Sequence, residues 1–134
     1  MLNRLKLVSE KMFLNALENY HLHEGYKVVI SCNYIQSWEQ LAEALGNAFQ
    51  FPMRNEGMDG TWDWITDLDW LGEENNISIY LYEYKKLCGE NPSLKAHILE
   101  WFNELVQYWY EDVKTVYLKG KLGEPKNFNV YLVD

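Results

Sequence analysis

Apolar side chains recur every three or four residues near the start of the chain, at Leu5, Val8, Met12, Ala16 and Tyr20. This spacing predicts a helix over 5–20, ended by HLHEG with Gly25 as the stop. The period then changes. YKVVIS at 26–31 reads as a strand, and Ser37-Trp38-Glu39-Gln40 reads as a capping box opening a second helix. That helix places Trp38, Leu41, Ala42, Leu45, Ala48 and Phe49 on its buried side, and Phe51-Pro52 closes it, because the residue before a proline disfavours helix. After a loop at 53–58, a further helix is expected from Asp59 through Leu71. ISIYLY at 77–82 is a second strand. Asn91-Pro92 is an N-cap followed by proline at the first helical position, and the helix it opens runs to about residue 113. Leu94, Ile98, Trp101, Phe102, Leu105, Tyr108 and Trp109 form its apolar stripe. A loop at 119–127 leads to a last strand, FNVYLV at 128–133.

Strands alternating with helices predict an α/β domain with a small parallel sheet of about three strands, covered by helices in two or three layers. The chain has 134 residues, enough for one core. We expect an N-terminal helical extension over 1–24 and one domain over 25–134.

The stretch MDGTWDWITDLDWL at 58–71 changes the picture, because it sets four aspartates and three tryptophans within fourteen residues. On a helix capped by Asp59, with 100° per residue, Trp64, Ile65, Leu68 and Leu71 fall on the side facing the sheet. Asp59, Asp63 and Asp67 fall on the other side with Thr66, flanked by Trp62, Asp69 and Trp70. Like charges four apart destabilise a helix slightly. A solvated acidic face accounts for the stripe, and so does a binding surface for a cationic, concave partner.

Composition narrows the partners. The formal net charge is −8, which opposes binding to a nucleic-acid backbone and suits a basic protein. With 48% hydrophobic and 16% aromatic residues the chain is expected to fold. It has no recognisable secretory signal and no apolar run long enough to span a membrane, so a cytoplasmic location is expected. Cys32 and Cys88 read as buried, reduced thiols. His21 and His23 with Glu24 suggest a metal pair at first sight, but on a helix the two imidazoles point apart, and no metal or other cofactor is expected.

Three stretches together, YKVVIS, NYIQSWEQLAEALGNAFQFP and MDGTWDWITDLDWL, carry a resemblance to the barstar family, the cytoplasmic inhibitors of barnase-type ribonucleases. The likeness is good over about 26–84; over 92–133 it rests on the helix-then-strand order and on Glu104 in its Phe-x-Glu context. It implies a non-enzymatic inhibitor or immunity protein that blocks a basic ribonuclease by substrate mimicry. It implies that Asp63 replaces a phosphate in the nuclease, that Trp62 and Asp59 border it, and that Glu104 is the acidic residue of the later helix. Asp67, Thr66 and Trp70 complete the expected partner-binding set. The loop MRNEG departs from the family's Tyr-Tyr-Gly-x-Asn and lacks its tyrosine. Two other functions are weighed beside the inhibitor: an adaptor using the same helix on a non-nuclease protein, and a small glycoside hydrolase using Asp59 and Asp63 as its carboxylate pair. The hydrolase is disfavoured, since both carboxylates come from one element of a small domain.

Overall fold

The computed structural model describes residues 5–18, 25–53, 57–71, 76–112 and 126–134. Four strands and four helices follow in the order β1 (Leu5–Val8), α1 (Glu10–Glu18), β2 (Tyr26–Ser31), α2 (Trp38–Phe49), α3 (Met58–Ile65), β3 (Asn76–Tyr82), α4 (Pro92–Gln107) and β4 (Asn127–Val133). The sheet is parallel throughout, in the order β1-β4-β3-β2. Among the described residues no helix is long and apolar enough to cross a membrane.

The fold class is the α/β domain expected, with one strand more than the sequence suggested. Residues 5–8 are not helical. They pair with β4 from Leu5 opposite Val130 to Val8 opposite Val133. Ser9 breaks the apparent helical period: its Oγ accepts from the Met12 N–H at 3.2 Å, and its carbonyl from the Phe13 N–H, so α1 starts only after it. Strand alternation then explains Val8, and helix spacing explains Phe13, which a single helix from residue 5 left out of its stripe.

Alternation along the strands builds two cores. Val28 and Ile30, Ile77, Ile79 and Leu81, and Phe128 and Val130 face α2, α3 and α4. Val8, Tyr80 and Val133 face the other way and meet Phe13 of α1, whose ring lies 5.1 Å from Tyr80 and 5.4 Å from Tyr82. The result is three layers, in which α1 is the one helix on its face among the described residues. The order of the strands accounts for this. The chain crosses from β1 to the far edge at β2 and returns through β3 to β4, and crossovers of one hand running in opposite directions must use opposite faces. Gly25, at φ +153°, precedes β2; a Cβ there would lie 3.1 Å from the Asn76 carbonyl oxygen.

Local signals hold at the two long helices. Ser37 caps α2 by accepting from the Gln40 N–H at 3.2 Å. The return bond of the box is displaced by one residue: Gln40 Oε1 accepts from the N–H of Gln36 at 2.7 Å. Gln50, in the left-handed conformation at φ 54°, ends that helix before Phe51-Pro52. Asn91 caps α4 through the Leu94 N–H, and a π-helical turn, Tyr108–Asp112, extends it. Cys32 and Cys88 are buried free thiols whose Sγ atoms donate to the carbonyls of Ile30 and Ile35. Burial pushes the Cys32 thiol up to about 12 and raises that of Cys88. His21 and His23 lie outside the described residues.

Candidate functional site

The acidic stretch is not one helix. α3 covers eight residues and ends at Ile65. Thr66 and Asp67 turn the chain, and Leu68 takes the left-handed conformation at φ 54°, which drives its side chain into the core. A 3₁₀ turn over Asp69–Leu71 follows. The cap also differs from expectation. Gly57 occupies the N-cap at φ 144°, ψ −178°, and Asp59 lies in the first helical turn, where its charge suits the helix N-terminus but caps no N–H through its side chain. The Gly57 carbonyl accepts from both the N–H (3.0 Å) and the Oγ1 (2.8 Å) of Thr61, a wholly buried threonine.

The inward stripe of α3 is Thr61 and Ile65, with Met58 and Trp62 packed beside them. This places the helix about one residue out of phase with the wheel drawn from the sequence. Trp64 was expected on the sheet side; it sits partly buried at the flank, with its ring 6.4 Å from Phe51 and 5.6 Å from Trp70. Trp62 was expected at the border of the exposed face; it packs inward, edge to face with Trp101 and Tyr108, each at 5.9 Å.

Two other expected contact residues have structural duties. Thr66 is 8% exposed; its Oγ1 donates to the Trp62 carbonyl at 2.6 Å, so it does not stand among the exposed aspartates. Trp70 is partly buried, and its indole N–H donates to the Phe49 carbonyl at 2.9 Å, closing the end of α2. The carbonyls at the end of α3 are held in the same way from the π-helical turn after α4: Trp109 Nε1 donates to Ile65 and the Tyr108 hydroxyl to Thr66. Hydrogen bonds from aromatic side chains thus clamp a helix too short to be stable alone.

The carboxylates remain outside. Asp59, Asp63 and Glu104 are exposed, and Asp67 is half-exposed in the turn that follows α3. The ion pairs among the described residues join Lys85 to Asp134 and Lys86 to Glu83, and none reaches these four groups. Asp59, Trp62 and Glu104 come together along a groove of about 580 Å³ between α2, α3 and α4. Trp38, Glu39 and Trp101 line the same groove, together with Gly57, Met58 and Gly60. Asp63 is not among the lining residues, so Asp59 and Asp63 do not flank one cavity as a hydrolase pair would. Sequence reasoning missed Trp38, Glu39 and Trp101 as site residues. In the sequence they read as members of helix stripes and a capping box, and only the packing of α2 against α3 and α4 brings them together.

No curated protein and no solved structure matches the chain. The family model described as Barstar (barnase inhibitor) matches residues 26–122, which run from β2 past the end of α4 and include α3 and the whole groove. With most of its length covered by that match, this chain belongs to the barstar family of barnase inhibitors.

Proposed function

We propose that this chain is a protein inhibitor that blocks the active site of a basic ribonuclease. It is made, on this reading, as the immunity protein of a cell that also makes the nuclease, and it acts in the cytoplasm, where Cys32 and Cys88 stay reduced. Membership of the family supports the inhibitor class. The observation that carries the reading is the set of carboxylates at α3 and the groove, Asp59, Asp63 and Glu104, all exposed and none neutralised by an ion pair among the described residues. A nuclease active site holds phosphate with cations, and a rigid carboxylate presented on a helix meets the same donors. Asp63 takes the place of a phosphate, Asp59 and Glu104 engage cations at the side, and Trp62 excludes water between them. The binding surface lies within 25–134, and the N-terminal extension 1–24 contributes β1 and α1 away from it.

The test is inhibition of RNA cleavage by a barnase-type ribonuclease, with the parent chain and with Asp63→Ala. The parent is expected to abolish cleavage at one equivalent. Asp63→Ala is expected to lose at least about 2 kcal/mol of binding, the scale of an interface hot spot. Its melting temperature should stay unchanged, because the side chain is exposed. Binding without any effect on cleavage would favour the adaptor. An Asp63→Ala chain as potent as the parent would remove Asp63 as the phosphate mimic.

A further inference from the structure

β2 is an edge strand. Among the described residues it pairs with β3 alone, over the six residues Tyr26–Ser31. Val29 lies opposite Tyr80 in that register and shares its face of the sheet. Tyr80 is 6% exposed, stacked on Tyr131 and met by Phe13 of α1. Val29 is 46% exposed, and no residue of β2 joins the cluster under α1. A groove of about 380 Å³ runs between this strand and α2. Val29 and Tyr34 line it with Ala44, Asn47 and Ala48, which stand at helical spacing on α2, and Tyr34 is 73% exposed. None of the lining residues is charged, on a chain in which 24% of residues are. The opposite edge of the sheet is built differently. β1 has four residues and carries an exposed lysine, Lys6, both of which blunt an edge. The longer β2 edge offers its outer backbone groups to another strand, and parallel sheets are normally covered on both faces.

We propose that the β2 edge is a self-association surface, on which β2 of a second copy of this chain pairs antiparallel about a two-fold axis at Val29, so that two four-stranded sheets become one. The sequence of β2 selects a copy of itself as the occupant. Across an antiparallel pair each side chain must meet one on its own face. Centring the pair on Val29 satisfies this, with Val29 against Val29, Lys27 against Ser31 and Val28 against Ile30. Centring it on Val28 would set Lys27 against Val29, and centring it on Lys27 would set like charges together. A two-fold contact uses one patch twice, so no second surface is required. The small side chains of Ala44 and Ala48 leave room beside the strand for the α2 helices to approach across the axis. Charge agrees. Each copy carries a net charge of −8, so contact is least opposed where carboxylates are absent from the surface, as they are here. No residue lines both this groove and the one holding Asp59, Trp62 and Glu104, so the dimer leaves the acidic groove open and holds one nuclease on each copy.

Two paired strands and one helix stripe make a contact at the small end of stable interfaces, so the dimer forms at high protein concentration. Sedimentation equilibrium of the full chain, from micromolar to millimolar concentration, should show monomer and dimer and no larger species. Val29→Lys puts like charges at the axis and should raise the dissociation constant at least about tenfold, since like charges directly opposite are destabilising. A lysine is well tolerated on an exposed edge, so its melting temperature at low concentration should match the parent. Val29→Cys supplies a readout that keeps the wild-type charge: with oxidised glutathione it should form a disulfide-linked dimer, and Lys6→Cys on the β1 edge should not. Cys32 and Cys88 are buried and stay out of that reaction. A chain that is monomeric at every concentration, a Val29→Lys chain that dimerises like the parent, or equal cross-linking from β1 would each overturn the pairing. So would loss of ribonuclease inhibition in a folded Val29→Lys chain, which would give the edge to the nuclease. Asp63→Ala should dimerise like the parent, so the pairing and the inhibitor reading fail separately.

Discussion

Hydrogen bonding separates two pairs among the six tryptophans of this chain. Trp70 and Trp109 donate from their indole N–H groups to backbone carbonyls of Phe49 and Ile65, so each closes the end of a helix. Trp62 and Trp101 meet through their rings and border the groove. Residue type alone did not separate these roles; both kinds are large and amphipathic. Thr66 makes the same point for a small polar side chain. Replacing it by valine keeps the volume and removes the hydroxyl that donates to Trp62. Urea unfolding of Thr66→Val should show a loss of about 1 kcal/mol, with ribonuclease affinity unchanged once the chain is folded. A large loss of affinity at full stability would return Thr66 to the interface. The Cys32 thiol leads to a pH prediction. Its folded value is about 12 against a usual 9.0, so above pH 9 the unfolded chain releases a proton that the folded chain keeps. Its contribution is therefore fully present below pH 9 and lost as pH rises from there towards about 12. Cys88 and Tyr80 are raised by burial and act in the same direction. Melting temperature measured from pH 8 upwards should fall, and should fall less steeply in Cys32→Ala than in the parent.

α3 has eight residues, below the length at which a helix persists alone in water, so it depends on what holds its ends. At its start stands Gly57, at φ 144° and ψ −178°, a region open essentially to glycine. A Cβ there would touch nothing within 4 Å, so the whole cost of Gly57→Ala is backbone strain. That change should destabilise the protein by about 1–3 kcal/mol in chemical unfolding. Stability equal to the parent would mean that the helix start re-forms in another conformation. The elements with strong periodicity were legible in the sequence: β2, β3, β4, and α2 and α4 with their Ser37 and Asn91 caps. α3 was legible as a helix but not in phase. Its apolar residues are spread around the wheel, and its inward stripe contains a threonine and a glycine-capped start that hydrophobicity does not report. β1 was missed for a related reason. Leu5 and Val8 fit a helical spacing as well as a strand, and the pairing with β4 that decides between them is made by residues more than 120 positions away in the chain.

At the scale of the whole molecule, topology and charge act together. Among the described residues α1 covers one face of the sheet, while α2, α3 and α4 share the other and bring the groove to its surface. The two ion pairs among the described residues sit beyond the carboxyl ends of β3 and β4, where Lys85 and Lys86 neutralise Asp134 and Glu83. Among the described residues no ion pair neutralises the carboxylates at α3 and the groove, and the chain carries 20 acidic against 12 basic side chains, a net charge of −8. Such a distribution acts at long range before any contact forms. It should raise the rate of encounter with a basic ribonuclease and bias its approach toward the acidic end. Salt screens that attraction within about 10 Å at 0.1 M, whereas contacts already made are short and partly desolvated. Stopped-flow association should therefore slow steeply from low to physiological salt while dissociation changes little. Asp67→Ala, at the half-exposed turn beyond α3, should slow association at low salt more than it speeds dissociation. If the association rate is flat across the salt series, charge is not steering the encounter, and the surplus carboxylates need an explanation other than recognition of a basic partner.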